Sequence, residues 1–103
     1  MNVRFSRLSV LKLEKLLEYL KEEWSEETKK KFLKSLNAKV ESIKKNPKAF
    51  PSSILESNLR KCVVTKHTII LYEIQGDSIF IMNLIDGRQD PEKIRDEIRK
   101  HFG

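Results

Sequence analysis

The sequence predicts an α+β fold with the element order β-α-α-β-β-β-α, a helical hairpin packed on a mainly antiparallel sheet. Two observations carry that reading. Apolar residues recur at spacings of three and four through two consecutive stretches of the first half. The second half then changes period, with three short runs of β-branched and aromatic residues separated by turn residues. Residues 2–6 read as a short strand with Val3 and Phe5 on one face, and Ser6 or Ser9 offers a hydroxyl to cap the helix that follows. Val10, Leu13, Leu17, Leu20 and Trp24, widened by Leu16, form the apolar stripe of that helix. Ser25 caps a second helix, whose Glu26 and Glu27 suit the positive end of the helix dipole.

Phe32, Leu33, Leu36, Val40 and Ile43 make the apolar side of the second helix. Lys44-Lys45-Asn46-Pro47 stops it, with Asn46 expected in a left-handed cap. The short break at Trp24-Ser25 folds the two helices into an antiparallel hairpin, anchored by Trp24. Residues 47–58 form a loop that Phe50-Pro51 pins to the core. Strands are expected from Leu59 to Thr65, Thr68 to Ile74 and Ser78 to Ile85, with Gln75-Gly76-Asp77 as a tight turn. Short connections force these strands antiparallel. Asp86-Gly87 ends the last of them. Asp90 then caps a final helix, Pro91 suits its first position, and Ile94, Ile98 and Phe102 give it an apolar stripe. Ile69 to Leu71 and Ile79 to Met82 are continuous apolar runs, so the second sheet face is also covered in part, by the final helix or by a partner.

Residues 1–103 are expected to form one domain, since 39% apolar residues suffice for a modest core. The 35% charged residues imply a strongly ionic surface. A net charge of +6 favours anionic partners, such as nucleic acid or an acidic protein. One cysteine, Cys62, excludes an intrachain disulfide and reads as a buried, reduced thiol. With two separated histidines, His67 and His101, it offers no metal site, and no cofactor is implied. No apolar stretch reaches membrane-spanning length and Met1 to Phe5 has no signal-peptide character, so no membrane contact is expected and the expected compartment is the cytoplasm.

The candidate functional residues are basic. Arg60 and Lys61 lie on the first of the three strands, and Arg88 lies just after the last. A meander can bring these points together as a site for a polyanion or carboxylate. Arg88 can bind an oxyanion through two parallel hydrogen bonds, or pair with Asp86 or Asp90. His67, at a hairpin turn, is either a general base or acid or an exposed turn residue. Lys66 flanks the same turn. Arg60 and Lys61 alternate across their strand, so only one faces a given side. Tyr72 reads as core. Lys29, Lys30, Lys31 and Lys34 form a basic patch that opposes the helix dipole, or a solvated outer face.

Several pieces in order resemble the RelE/ParE superfamily of bacterial type II toxin–antitoxin toxins. They are the hairpin with Trp24 at its bend, the stretch from Ile43 to Pro51, Leu59-Arg60-Lys61, the strand ending in Tyr72, and Arg88-Gln89-Asp90-Pro91. The resemblance implies a small growth-inhibiting toxin with an acidic antitoxin as partner, in the manner of plasmid stabilization systems. One branch of the superfamily is an mRNA interferase acting in the ribosome; the other binds and poisons DNA gyrase. For the first activity, Arg88, His67 and Lys61 are the catalytic candidates. Arg60, Lys61, Lys66 and Arg88 are the candidates for nucleic-acid or partner binding. Arg88 stands where the ribonuclease branch has an arginine after the last strand. The middle-strand arginine of that branch aligns with Ile69, and its terminal tyrosine has no clear counterpart, although His101 lies near that end. A degenerate relative that only binds the antitoxin is the alternative reading.

Overall fold

The structure is a computed structural model that describes residues 1–53 and 58–102. Its elements are β1 (Asn2–Phe5), α1 (Arg7–Glu23), α2 (Glu26–Lys45), β2 (Arg60–Val63), β3 (Thr68–Gln75), β4 (Ser78–Asp86) and α3 (Pro91–Phe102). This is the expected order. The sheet runs β1-β4-β3-β2, with β1 parallel to β4 and the other two pairs antiparallel.

Ser6 joins β1 to α1. Its backbone N–H donates to the Ile81 carbonyl at 2.8 Å, and its hydroxyl donates to the Met82 carbonyl at 2.6 Å. The same oxygen accepts from the Ser9 N–H at 3.0 Å and so caps α1. Ser9 lies inside the helix, fully buried, and its hydroxyl donates to the carbonyls of Ser6 and Ile81. The two accepting carbonyls sit where the β3–β4 register shifts: Leu71 faces Asn83, but Tyr72 faces Ile81. Met82 is therefore an extra residue on β4, a bulge that would leave backbone groups unpaired without the two serines.

The helical hairpin covers one sheet face. Phe32, Leu36 and Ile43 of α2 are buried there with Cys62, Ile70, Tyr72, Ile79, Ile81 and Leu84, and Leu13, Leu16, Leu17 and Leu20 of α1 pack against them. α3 covers the other face, where Ile94 and Ile98 meet Leu59, Leu71, Met82 and Ile85. The continuous apolar runs thus serve two cores. Asp90 caps α3 as expected, its carboxylate accepting from the Glu92 N–H at 3.0 Å.

Three local expectations are corrected. Trp24 is 69% exposed and does not anchor the hairpin. The bend is held instead by the N–H groups of Trp24 and Ser25, which both donate to the Leu20 carbonyl, and by the Ser25 cap. Val10 lies off the buried stripe at the helix surface, 39% exposed. Asn46 has φ −148°, so α2 ends without a left-handed cap; Pro47 cannot donate the next helical hydrogen bond. In the following loop Phe50 packs edge-on against Tyr72 with ring centroids 6.3 Å apart, while Pro51 is exposed. Residues 54–57 of that loop lie outside the described residues.

α3 is tied to the remaining structure by one polar cluster. Asn83 of β4 is fully buried, and its Nδ2 donates to Glu97 Oε1 at 2.9 Å. Lys12 of α1 pairs with the same carboxylate oxygen. Burial pushes the Glu97 carboxyl up, but the hydrogen bonds from Lys12 and Asn83 outweigh it and leave the group below its ordinary value of 4.5.

Replacing Leu36 by Ala should cost about 2–5 kcal/mol, with Leu17→Ala at the low end because Leu17 is only half-buried. Chemical denaturation checks this, and two variants as stable as the parent chain would overturn the packing. Glu97 makes a second prediction. Its folded pKa is depressed, so its contribution is complete above pH 4.5 and is lost as the pH falls through the lower folded value. In denaturation midpoints measured against pH, Glu97→Gln should remove that part of the acid-limb slope.

Candidate functional site

The β2–β3 turn is closed by the Val64 N–H donating to the Thr68 carbonyl at 2.8 Å. The carbonyl of His67 in that turn accepts the Gly87 N–H at 2.7 Å, which fastens the chain just beyond β4 to the turn. Gly87 suits this close approach, since a Cβ there would lie 3.1 Å from Ile69 Cδ1. The turn and the end of β4 thus form one rigid corner, facing the bend of the helical hairpin.

Between corner and bend lies an open groove of about 750 Å³. Leu16, Leu20 and Phe32 supply its apolar lining, and Thr28, Lys31, Thr65, His67, Asp86 and Arg88 its polar part. Tyr19 and Trp24 also line it, and they are 54% and 69% exposed. A second, smaller cleft shares Leu16, Thr68 and Asp86 with it and continues along α1 to Lys12.

Arg88 and Asp86 are joined at the groove by three hydrogen bonds. Asp86 Oδ1 accepts from the Arg88 backbone N–H at 2.9 Å and from its Nε at 3.0 Å. Asp86 Oδ2 accepts from Nη2 at 2.7 Å. The side-chain hydrogen bonds from Arg88, followed by its backbone N–H, hold the Asp86 carboxyl well below the usual carboxylate range, and the nearby His67 adds to the effect. Of the two pairings open to Arg88 in sequence, the one with Asp86 is formed.

The other candidates part company. Arg60 is half-buried, and its Nη1 donates to the Phe50 carbonyl at 2.6 Å and the Lys48 carbonyl at 3.2 Å. It fastens the loop after α2, together with Tyr72, whose hydroxyl donates to the Pro47 carbonyl at 2.6 Å. Burial pushes the Tyr72 phenol up to about 12 and also raises the Cys62 thiol, so both are inert core groups at neutral pH. Lys61 pairs across the ladder with Leu71, which belongs to the α3 core, so it projects from the face opposite Cys62 and away from the groove. Lys66 is exposed in the turn beside His67 and does not line the groove. Ile69 packs on the α3 side. In the lysine patch of α2, Lys29 pairs with Glu26 and Lys31 with Glu27, and Lys31 alone reaches the groove.

The meander therefore brings His67 and Arg88 together but leaves Arg60, Lys61 and Lys66 outside. Sequence reading missed Tyr19, Trp24 and Lys31 as neighbours of that pair. One signal for Tyr19 existed: it is an aromatic residue off the apolar stripe of α1. Among the described residues no group of three His, Cys, Asp or Glu side chains could hold a metal ion, and no helix is long and apolar enough to cross a membrane.

A sequence model of the ParE toxin of the type II toxin–antitoxin system parDE matches residues 3–91, from β1 to the first residue of α3. The chain belongs to that family. Among solved structures, it is similar to a chain described as the chromosomal ParDE TA system from P. aeruginosa. The TM-score is 0.71 at 12% identity, over 84% of this chain and 95% of that one, a likeness of fold. No curated protein sequence matches it.

The placement of Arg60 makes a prediction. Arg60→Ala should lower the unfolding free energy by about 1.5–3 kcal/mol, because two loop carbonyls lose a charged donor. A cation serving only a partner would change the denaturation midpoint hardly at all.

Proposed function

We propose that this chain is the toxin of a toxin–antitoxin pair, that it acts in the cytoplasm, and that it inhibits growth by binding DNA gyrase rather than by cutting mRNA. The observation that carries this reading is the dispersal of the basic side chains. Attack of a ribose 2′-OH on phosphorus needs a base, a cation for the developing charge and an acid at the leaving oxygen, all around one atom. Here Arg60 is tied to loop carbonyls, Lys61 projects from the other sheet face, and Arg88 faces Asp86 in an exposed ion pair. His67, Tyr19 and Lys31 line the groove and can carry a proton, but Arg88, the arginine among the groove's described lining residues, is engaged by Asp86. Ile69, packed in the α3 core, gives the middle strand no cation.

Binding requires less convergence. The groove combines an apolar lining, two exposed aromatic residues and cations on its wall, which suits a polypeptide carrying apolar and acidic side chains. The antitoxin is the expected occupant. The structural neighbour comes from a ParDE system, which supports a partner of that kind here.

The mechanism is tested with the double substitution Lys61→Ala and His67→Ala. Under the binding reading, loss of one imidazole from the groove wall weakens docking modestly at most, so induced expression of this variant still inhibits growth, with DNA damage signalling and filamentation. Purified protein should then trap gyrase on cleaved DNA as the parent chain does. A ribosome-dependent nuclease would lose about 10²–10⁴-fold on removal of an acid–base residue. Loss of toxicity in the variant, with cut mRNA in cells expressing the parent chain, overturns the gyrase reading.

A further inference from the structure

We propose that Asp86 is an internal counter-ion that holds the Nε/Nη2 edge and the backbone N–H of Arg88, so that an oxyanion reaches those donors only by displacing it. The inference goes beyond the gyrase reading and does not depend on it. Three donors of one residue, the backbone N–H, Nε and Nη2 of Arg88, converge on the two oxygens of a single carboxylate. That is the arrangement by which a guanidinium fork takes a carboxylate or phosphate from outside. The chain fills it from within.

The geometry is built rather than incidental. The Gln89 N–H donates to the Asp86 carbonyl at 3.0 Å, and the Gly87 N–H is bonded to His67. Both hold the turn so that the Arg88 N–H stays aimed at the carboxylate. Asp86 and Arg88 both line the groove, so the pair stands where a ligand would pass.

The pair is also open to exchange. The side chains of Arg88 and Asp86 are 66% and 45% exposed. An exposed pair of this kind is weak, because water and ions compete for both partners. Displacement is therefore accessible, but it carries two penalties for a free anion. The anion must compete with a carboxylate fixed two residues away. It then lies beside that displaced carboxylate, with which it repels. An anion attached to a polypeptide already seated in the groove meets the same competitor at a much higher effective concentration. Asp86 thus acts as a filter: it discriminates against small free oxyanions and admits an anion carried by a docked segment.

The experiment titrates inorganic phosphate into the full chain at constant ionic strength and follows the NMR signals of the Arg88 backbone N–H and Nε–H. The parent chain should bind weakly. Asp86→Asn and Asp86→Ala should each bind phosphate about fivefold more tightly, the combined effect of removing a competitor and a repulsion. Asn keeps an acceptor for the Arg88 N–H and Ala does not, so the two variants separate loss of charge from loss of the turn. Adding Arg88→Ala to Asp86→Asn should abolish the gain. Two results would sink the proposal: equal phosphate affinity in the parent chain and both variants, or a gain that survives loss of Arg88, which reports only the change in overall charge.

Discussion

Everything in this fold hangs from one junction, the contact of Ser6 with the bulge of β4. The residue donates from its backbone to Ile81 and from its side chain to Met82, and the same hydroxyl caps α1. A single serine thus ends the edge strand, starts the helix and satisfies a defect in the central ladder. The direction in which α1 leaves the sheet is fixed there. Because α2 returns antiparallel along α1, the placement of the whole hairpin follows, and with it the opening between the hairpin bend and the end of β4. The groove exists because a strand and a helix share one cap.

The second face depends on that arrangement less directly. Its core is apolar, but α3 is also tied to the hairpin side through Glu97, which meets both Lys12 and Asn83. β1 pairs with β4 only as far as Ile81, so the edge of β4 beyond it is free of a neighbouring strand. Lys12 reaches across that edge. The buried Asn83 has an Oδ1 without a hydrogen-bond partner among the described residues. An amide kept in such a place with its acceptor unused contributes orientation to α3 more than stability.

The elements were legible in the sequence because their signals are local. Serine caps, the Asp90-Pro91 start and the change from helical to alternating spacing all act within a few residues. Trp24 misled for the same reason. It falls on the extrapolated stripe of α1, but the helix stops there, and beyond the last turn the periodicity has no meaning. Asn46 was read by residue type, yet the proline after it is sufficient to end the helix. Among the candidate site residues, the strand period alone places Arg60 and Lys61 on opposite faces. The tie from Arg60 to Phe50 and Lys48 was not legible, because nothing local announces which carbonyls a guanidinium will find. The Asp86–Arg88 pair was visible as one of two alternatives. The choice between Asp86 and Asp90 follows the backbone: Asp86 takes the Arg88 N–H and its side chain together, while Asp90 caps α3.

The position of β4 has a consequence for how the chain acquires its shape during synthesis. β4 is the last strand in sequence, yet it lies between β1 and β3 in the sheet. The bond from Ser6 to Met82 spans 76 residues. The helical hairpin and the β2–β3 pair close short loops and can form early, whereas the contacts of β1 are among the most non-local in the molecule. A nascent chain therefore carries an unpartnered first strand and a hairpin without its sheet until β4 has left the ribosome. The groove is absent throughout that interval. A ParE-family chain built this way has no finished groove until nearly all of it has been translated, so nothing can dock there on a partial chain.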